Sequence, residues 1–161
     1  MGEGAAGGDA GLVFPREIPF VHALGLTLHA FGSEGVELRL ALEPWHLNSW
    51  QVGHGGVLMT MLDVAMAHAA RAANGEPAEV RPDAPGVATV EMKTSFVRPA
   101  SGTLRALGSV LHRSATLAFC EARVLGGDGR LCAHATGTFK FVRGLRPAPP
   151  PPPPTNSQDV S

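Results

Sequence analysis

Residues 54–74 read HGGVLMTMLDVAMAHAARAAN, and their reading decides how the rest of the chain is understood. The stretch has no proline and is rich in Ala, Leu and Met, so it predicts a helix. Asn74-Gly75 supplies the stop, since both residues tolerate the left-handed turn that closes helices. The helix is apolar nearly all round, which predicts that other parts of the chain wrap it. From Val57 to Ala70 the only formal charge is Asp63. A lone ionised carboxylate in apolar surroundings costs several kcal/mol unless it is paired or hydrated. Either Asp63 faces a cavity, or its partners come from elsewhere in the chain.

The residues on the same helical face bear on that choice. Gly56, Thr60, Asp63, Ala67 and Ala70 fall on one side at helical spacing, and all but Asp63 are small or modest in size. Such a face leaves room for a ligand and a water beside the carboxylate, although small residues on a buried helix also serve close packing against a sheet. Partial burial predicts a raised Asp63 pKa, which makes it a better base. At the other end, His54-Gly55-Gly56 opens the helix. A helix start has free N–H groups and partial positive charge, and glycine lets a ligand oxygen approach the backbone. Donors so placed suit an oxyanion.

Outward from the helix the pattern changes period. Upstream, 36–42 alternates strictly, with Val36, Leu38, Leu40 and Leu42 on one side and Glu37, Arg39 and Glu43 on the other. That is a strand, paired to the preceding GLTLHAFG by a turn at Gly32-Ser33-Glu34-Gly35. Residues 15–24 predict a short helical turn. Downstream, 87–98, 102–112, 116–125 and 130–142 read as four more strands, with Gly102, Gly126-Gly127 and Asp128-Gly129 marking turns. The order β-β-α-β-β-β-β predicts an α+β fold: a long antiparallel sheet curled around one central helix. Residues 1–14 read as a flexible Gly/Ala-rich leader and 15–143 as the folded domain. Residues 144–161, with six consecutive prolines from Pro149 to Pro154, read as an extended, disordered tail that could dock an aromatic groove.

Hydrophobic residues make up 44% of the 161-residue chain and charged ones 17%, values of a globular domain with a real core. A net charge of −1 with scattered Lys and Arg gives no sign of a nucleic-acid partner. No apolar run reaches membrane-spanning length, and the amino terminus does not read as a secretory signal. Around Asp128-Gly129, Cys120 should fall opposite Gly137 and Cys132 opposite Leu125. The thiols would then not meet, which predicts no disulfide and a reducing, cytoplasmic setting. The histidines His22, His29, His46, His112 and His134 read as surface or sheet residues. No metal-ligand spacing is present, and neither a metal nor a cofactor is expected.

The string NSWQVGHGGVLMTMLD, residues 48–63, resembles the hotdog-fold thioesterases of the phenylacetate-degradation type, which are acyl-CoA hydrolases. APGVATVEMKTSFVRPA (84–100) looks like the third strand of that family and GDGRLCAHATGTFKFV (127–142) like its last hairpin, so the resemblance runs from about residue 20 to 142. It implies a single hotdog domain that hydrolyses an acyl- or aryl-acyl-CoA to free acid and CoA. Asp63 would be general base or nucleophile. The Gly55 N–H would polarise the carbonyl, Asn48 would position water or carbonyl, and His54 would hold the loop and the thioester. Thr89 would aid the water, and Gly56 and Thr60 would line the substrate. The family further implies a homodimer or homotetramer in which third strands pair and each site draws on two subunits. Where the family usually has Gly three residues after the Asn, this chain has Gln51, and Gly53 before His54 is also unusual.

Two other readings compete. A hotdog hydratase or dehydratase would pair a carboxylate with a catalytic His. His68 lies five residues from Asp63, about 140° around the helix, and points elsewhere. A non-catalytic acyl-CoA-binding module is the third reading. Thiol release from a panel of acyl-CoA esters separates all three.

Overall fold

The computed structural model describes residues 11–75 and 86–142. The proline tail lies outside the described residues. A short helix, α1 (Pro19–Ala23), precedes the hairpin of β1 (Thr27–Gly32) and β2 (Gly35–Ala41). A 3₁₀ turn at Pro44–His46 and a loop lead into the central helix α2 (Gly55–Ala73). Four strands follow: β3 (Gly86–Phe96), β4 (Thr103–Arg113), β5 (Leu117–Leu125) and β6 (Leu131–Val142). All six strands form one sheet in the order β1-β2-β4-β5-β6-β3, and every pairing is antiparallel. This is the expected hotdog architecture.

The sheet wraps α2 because each strand turns one apolar set inward. In β2, Val36, Leu38 and Leu40 are buried and the residues between them are not. They meet Leu58, Met61, Leu62, Ala65, Met66 and Ala69 of α2 in one continuous core. Removing a large side chain from such a core costs on the order of 2–5 kcal/mol. The closest approach is at β4. A Cβ built on Gly108 would lie 2.5 Å from the carbonyl oxygen of Ala65, so helix backbone rests directly on strand backbone there.

Both ends of α2 are tied. His54 is the N-cap, its Nδ1 accepting from the Gly56 N–H at 2.9 Å. At the other end Arg113 donates to the Ala73 carbonyl and to Asn74 Oδ1, each at 2.9 Å, placing a cation at the negative pole of the helix.

The outer face of the sheet is polar. Arg39 and Arg105 stand directly opposite each other on β2 and β4. Such a like-charge pair is unfavourable alone. Glu37 joins them, accepting from Arg39 Nε at 2.7 Å and from Arg105 Nε and Nη2 at 3.0 and 2.9 Å. The two cations hold its carboxyl down to about 2.

One boundary and one strand register differ from the sequence reading. Leu12, assigned to the leader, pairs with Leu28 of β1, and Phe14 sets its ring edge against His68. Folded contacts therefore begin before Pro15. Cys120 faces Gly137 as expected, but a bulge makes Leu131, not Cys132, the partner of Leu125. Both cysteines are free thiols. No helix among the described residues is long and apolar enough to cross a membrane.

Candidate active site

The sheet covers most of α2 but leaves one side open. Met59 and Gly56 are exposed there, and Thr60, Asp63 and Ala67 are half-buried. The opening is a cavity of about 430 Å³, a volume in the range of small-molecule sites. Asp63, Thr60 and Thr89 line it together with apolar side chains such as Ile18, Val64, Val87 and Met92. The question raised by the lone charge thus has a twofold answer. Asp63 faces a cavity, and it has one partner from another element: Thr89 Oγ1 donates to Asp63 Oδ1 at 2.8 Å. Burial raises the Asp63 pKa above the ordinary aspartate value, opposed by the Thr89 hydrogen bond. Thr89 engages one of the two carboxylate oxygens, and Asp63 itself lines the cavity.

Thr89 reaches Asp63 because β3 runs along the open side of the helix. It pairs with buried Phe139 of β6, which fixes its side chain on the inner face. Thr60 spends its hydroxyl on the Gly56 carbonyl, 2.9 Å away. It therefore offers the cavity chiefly its methyl group.

The loop before α2 is built by its own polar groups. Asn48 Oδ1 accepts from the backbone of Trp50 at 2.9 Å and of Val52 at 3.4 Å. Gln51, between them, has φ 59°, the left-handed region. This is the position where the resembled family usually carries Gly, so the loop keeps the glycine conformation with a side chain attached. Leu47 bridges to Gly53, closing the loop at its base. His54 turns its ring to cap the helix. The Gly55 N–H has no acceptor among the described residues, as expected of a first-turn donor. A Cβ at Gly55 would meet the Phe96 ring at 3.3 Å.

Two parts of the expected constellation are therefore present and well formed, but apart. Gly55 and Asp63 are eight residues apart on one helix, about 12 Å along its axis. Asn48, His54, Gly55 and Gly56 do not line the cavity that holds Asp63, Thr60 and Thr89. One thioester carbonyl cannot touch both groups within a single chain.

Three histidine and phenylalanine roles were not visible in the sequence. His46, read as a surface or sheet residue, is buried. Its Nδ1 accepts from the Glu43 N–H at 2.9 Å, its Nε2 donates to the Leu24 carbonyl at 3.0 Å, and its own carbonyl accepts from the His54 N–H at 2.8 Å. It thus straps the loop to the end of α1. His68, expected to point elsewhere, lines the same cavity as Asp63 while its Nδ1 donates to the Val64 carbonyl at 2.8 Å. Phe96 packs over the helix start, a contact across two elements that no local pattern announces.

Comparisons with known proteins bear on the family and the fold. Residues 51–133 match the family model described as the thioesterase superfamily. The chain is 25% identical over 138 residues to the medium/long-chain acyl-CoA thioesterase YigI of Escherichia coli strain K12, covering 80% of this chain and 89% of that protein. Among solved structures, the conserved protein PA5202 from Pseudomonas aeruginosa superposes with a TM-score of 0.71 at 29% identity, covering 80% of this chain and 97% of that one. The E. coli PaaI protein from the phenylacetic acid degradation operon shares the fold, with a TM-score of 0.70 at 19% identity and coverage of 80% and 87%. With the family model matched over more than half of its length, the chain belongs to the thioesterase superfamily.

Proposed function

We propose that the protein is an acyl-CoA thioesterase whose active site is completed by a second copy of the chain. The observation that carries this is the Asp63 carboxylate, held by Thr89 beside an otherwise largely apolar cavity. Asp63 takes the proton of a water held at its second oxygen, and the water attacks the thioester carbon. The carbonyl oxygen, gaining charge, is met by the Gly55 N–H, a donor of a kind worth roughly 3 kcal/mol. The tetrahedral intermediate collapses, the C–S bond breaks, and the CoA sulfur leaves with the proton from Asp63. Direct attack by the carboxylate, through an anhydride that water then opens, uses the same groups. Thr89 keeps the carboxylate oriented in either course. Asn48 and His54 shape the turn that presents the Gly55 N–H, and Gly56 and Thr60 border the acyl group.

The second copy follows from separation and from an open edge. Strand β3 ends the sheet, and its outer side has no strand beside it among the described residues. Val90, Phe96 and Val97 at this edge are 58%, 54% and 49% exposed. An exposed strand of this length invites pairing. Joining β3 to β3 by a two-fold axis gives a homodimer that brings the Gly55 turn of one chain toward the Asp63 cavity of the other. A homotetramer of such dimers is compatible with it.

A complementation assay tests the reading. Asp63→Asn chains and Gly55→Ala chains, each poorly active alone, are unfolded together and refolded as a mixture. With composite sites, half the dimers are mixed and each mixed dimer has one intact site, so activity returns to about a quarter of wild type. No recovery would show that each chain works alone. Absence of thiol release by the wild type on every acyl-CoA tried would remove the thioesterase reading itself.

A further inference from the structure

One of the few charges buried in the core lies in the same cavity as the carboxylate. Arg71 is only 7% exposed and lines that cavity. Asp63, Ala67 and Arg71 follow one another at i, i+4 and i+8, a stripe along one side of α2. The two charged residues are about 12 Å apart along the helix axis, with only the methyl of Ala67 between them. Helical Cα–Cβ bonds tilt toward the amino terminus, so Arg71 leaves the backbone on the side of Ala67 and Asp63. Ile18 and Val21 from the α1 segment, Val64 from α2 and Val87 from β3 give the cavity apolar walls, and His68 of α2 also lines it.

Arg71 is not the counter-ion of Asp63. The causes of the Asp63 shift are burial and Thr89, with no contribution from a cation. The cavity therefore has two distinct polar ends. A guanidinium has five N–H donors in a planar fork, so it can keep a protein partner and still offer an edge to a ligand. A methyl-ended acyl chain offers this group no acceptor. A carboxylate would meet it in a charge-assisted, bidentate pair.

Building on the thioesterase reading, we propose that Arg71 forms a carboxylate-accepting subsite at the far end of the acyl cavity. The favoured substrates are then CoA thioesters of dicarboxylic acids, with adipyl- and suberyl-CoA as probes. Arg71 selects the substrate and takes no part in the proton transfers at Asp63.

The experiment compares kcat/KM of the full chain for adipyl- and suberyl-CoA with hexanoyl- and octanoyl-CoA. The wild type should favour each dicarboxylic ester over its methyl-ended partner by about tenfold or more. Arg71→Met keeps an unbranched side chain and removes the guanidinium. It should abolish that preference through a raised KM for the dicarboxylic esters. Arg71→Lys, which keeps the charge but not the fork, should retain part of it. Calorimetric titration of the wild type with non-hydrolysable thioether analogues of adipyl- and hexanoyl-CoA reads the same preference without hydrolysis. It decides the matter even where a variant fails to fold. Equal affinities in that titration, or a preference that survives Arg71→Met, would overturn the subsite. Hydrolysis of hexanoyl-CoA with no dicarboxylic preference would leave the thioesterase reading standing, whereas analogue binding with no hydrolysis of any ester would remove that reading alone.

Discussion

Glu37 and Asp63 are both acidic residues of regular elements, and the chain treats them in opposite ways. Glu37 lies on the outer face of the sheet, gripped by Arg39 and Arg105, and its carboxyl is held down to about 2. Asp63 lies in the cleft on the other side of the sheet with one neutral donor, and burial pushes its pKa up. The first carboxylate is neutralised and unreactive; it joins two strands. The second is left short of compensation, which raises its basicity, as the role of base proposed for it requires. Stability and reactivity are assigned to separate faces of one sheet, and the difference lies in the partners supplied to each charge.

The widest effect should come from removing the reactive charge. Asp63→Asn keeps the shape and should slow acyl-CoA hydrolysis on the order of 10²–10⁴-fold, measured as thiol release, with the circular dichroism spectrum unchanged. The folded chain holds the Asp63 proton to higher pH than the unfolded chain does. Its ionisation therefore lowers stability as pH rises through that window. At neutral pH the Asn variant should melt no lower than wild type, and an equal or higher Tm is the expected reading. Wild-type turnover in folded Asp63→Asn would erase the contrast with Glu37.

Next in size is Gly55→Ala. The added methyl meets Phe96 and crowds the oxygen approaching the backbone N–H. Turnover should fall by roughly 10–100-fold with little change in fold. A smaller kinetic effect belongs to Thr89→Val. The hydroxyl favours the ionised form of Asp63, so its loss should move the acid limb of the kcat profile to higher pH and reduce the plateau about tenfold. A limb that stays in place would mean that Thr89 does not govern the ionisation of Asp63.

Smallest is Glu37→Gln. Here the folded value of about 2 lies below the ordinary 4.5. The ion pair stabilises the fold fully above the ordinary value, and its contribution is lost as pH falls from there toward about 2. Arg105 is substantially solvent-exposed, so screening limits the effect to within about 1 kcal/mol at neutral pH. Urea unfolding should show that loss at pH 7 and none near pH 2, with kcat unchanged at pH 7. A large loss of activity would mean that the outer face also serves the chemistry.

Much of this division could be read in the chain itself, and the unread parts share a cause. The alternation from Val36 to Leu42 gave β2 its buried face, and the uninterrupted apolar run after His54 gave the helix, because period is a local property. Asp63 stood out for the same reason: a charge in such a run needs an explanation. His46 was misread because both atoms that engage its ring, the Glu43 N–H and the Leu24 carbonyl, are backbone groups, one of them 22 residues away. His68 was assigned by helical angle alone, whereas a cavity wide enough for an acyl group touches more of the helix than one stripe. Gln51 stands where the resembled family usually has Gly, a departure from its loop pattern. Its positive φ shows that the loop conformation outlasts the loss of glycine. Exchanging Gln51 for Gly should thus be close to neutral, relief of the left-handed strain offsetting the greater freedom of the unfolded chain.

The open edge of β3 has a consequence for how the protein behaves at different amounts. The site proposed above, assembled from two copies, is diluted away when the copies separate. Specific activity should therefore fall below a threshold concentration, with a lag on dilution set by the dissociation rate, and the melting temperature should rise with protein concentration. A CoA ester that bridges both chains would hold them together, so substrate itself should protect dilute enzyme.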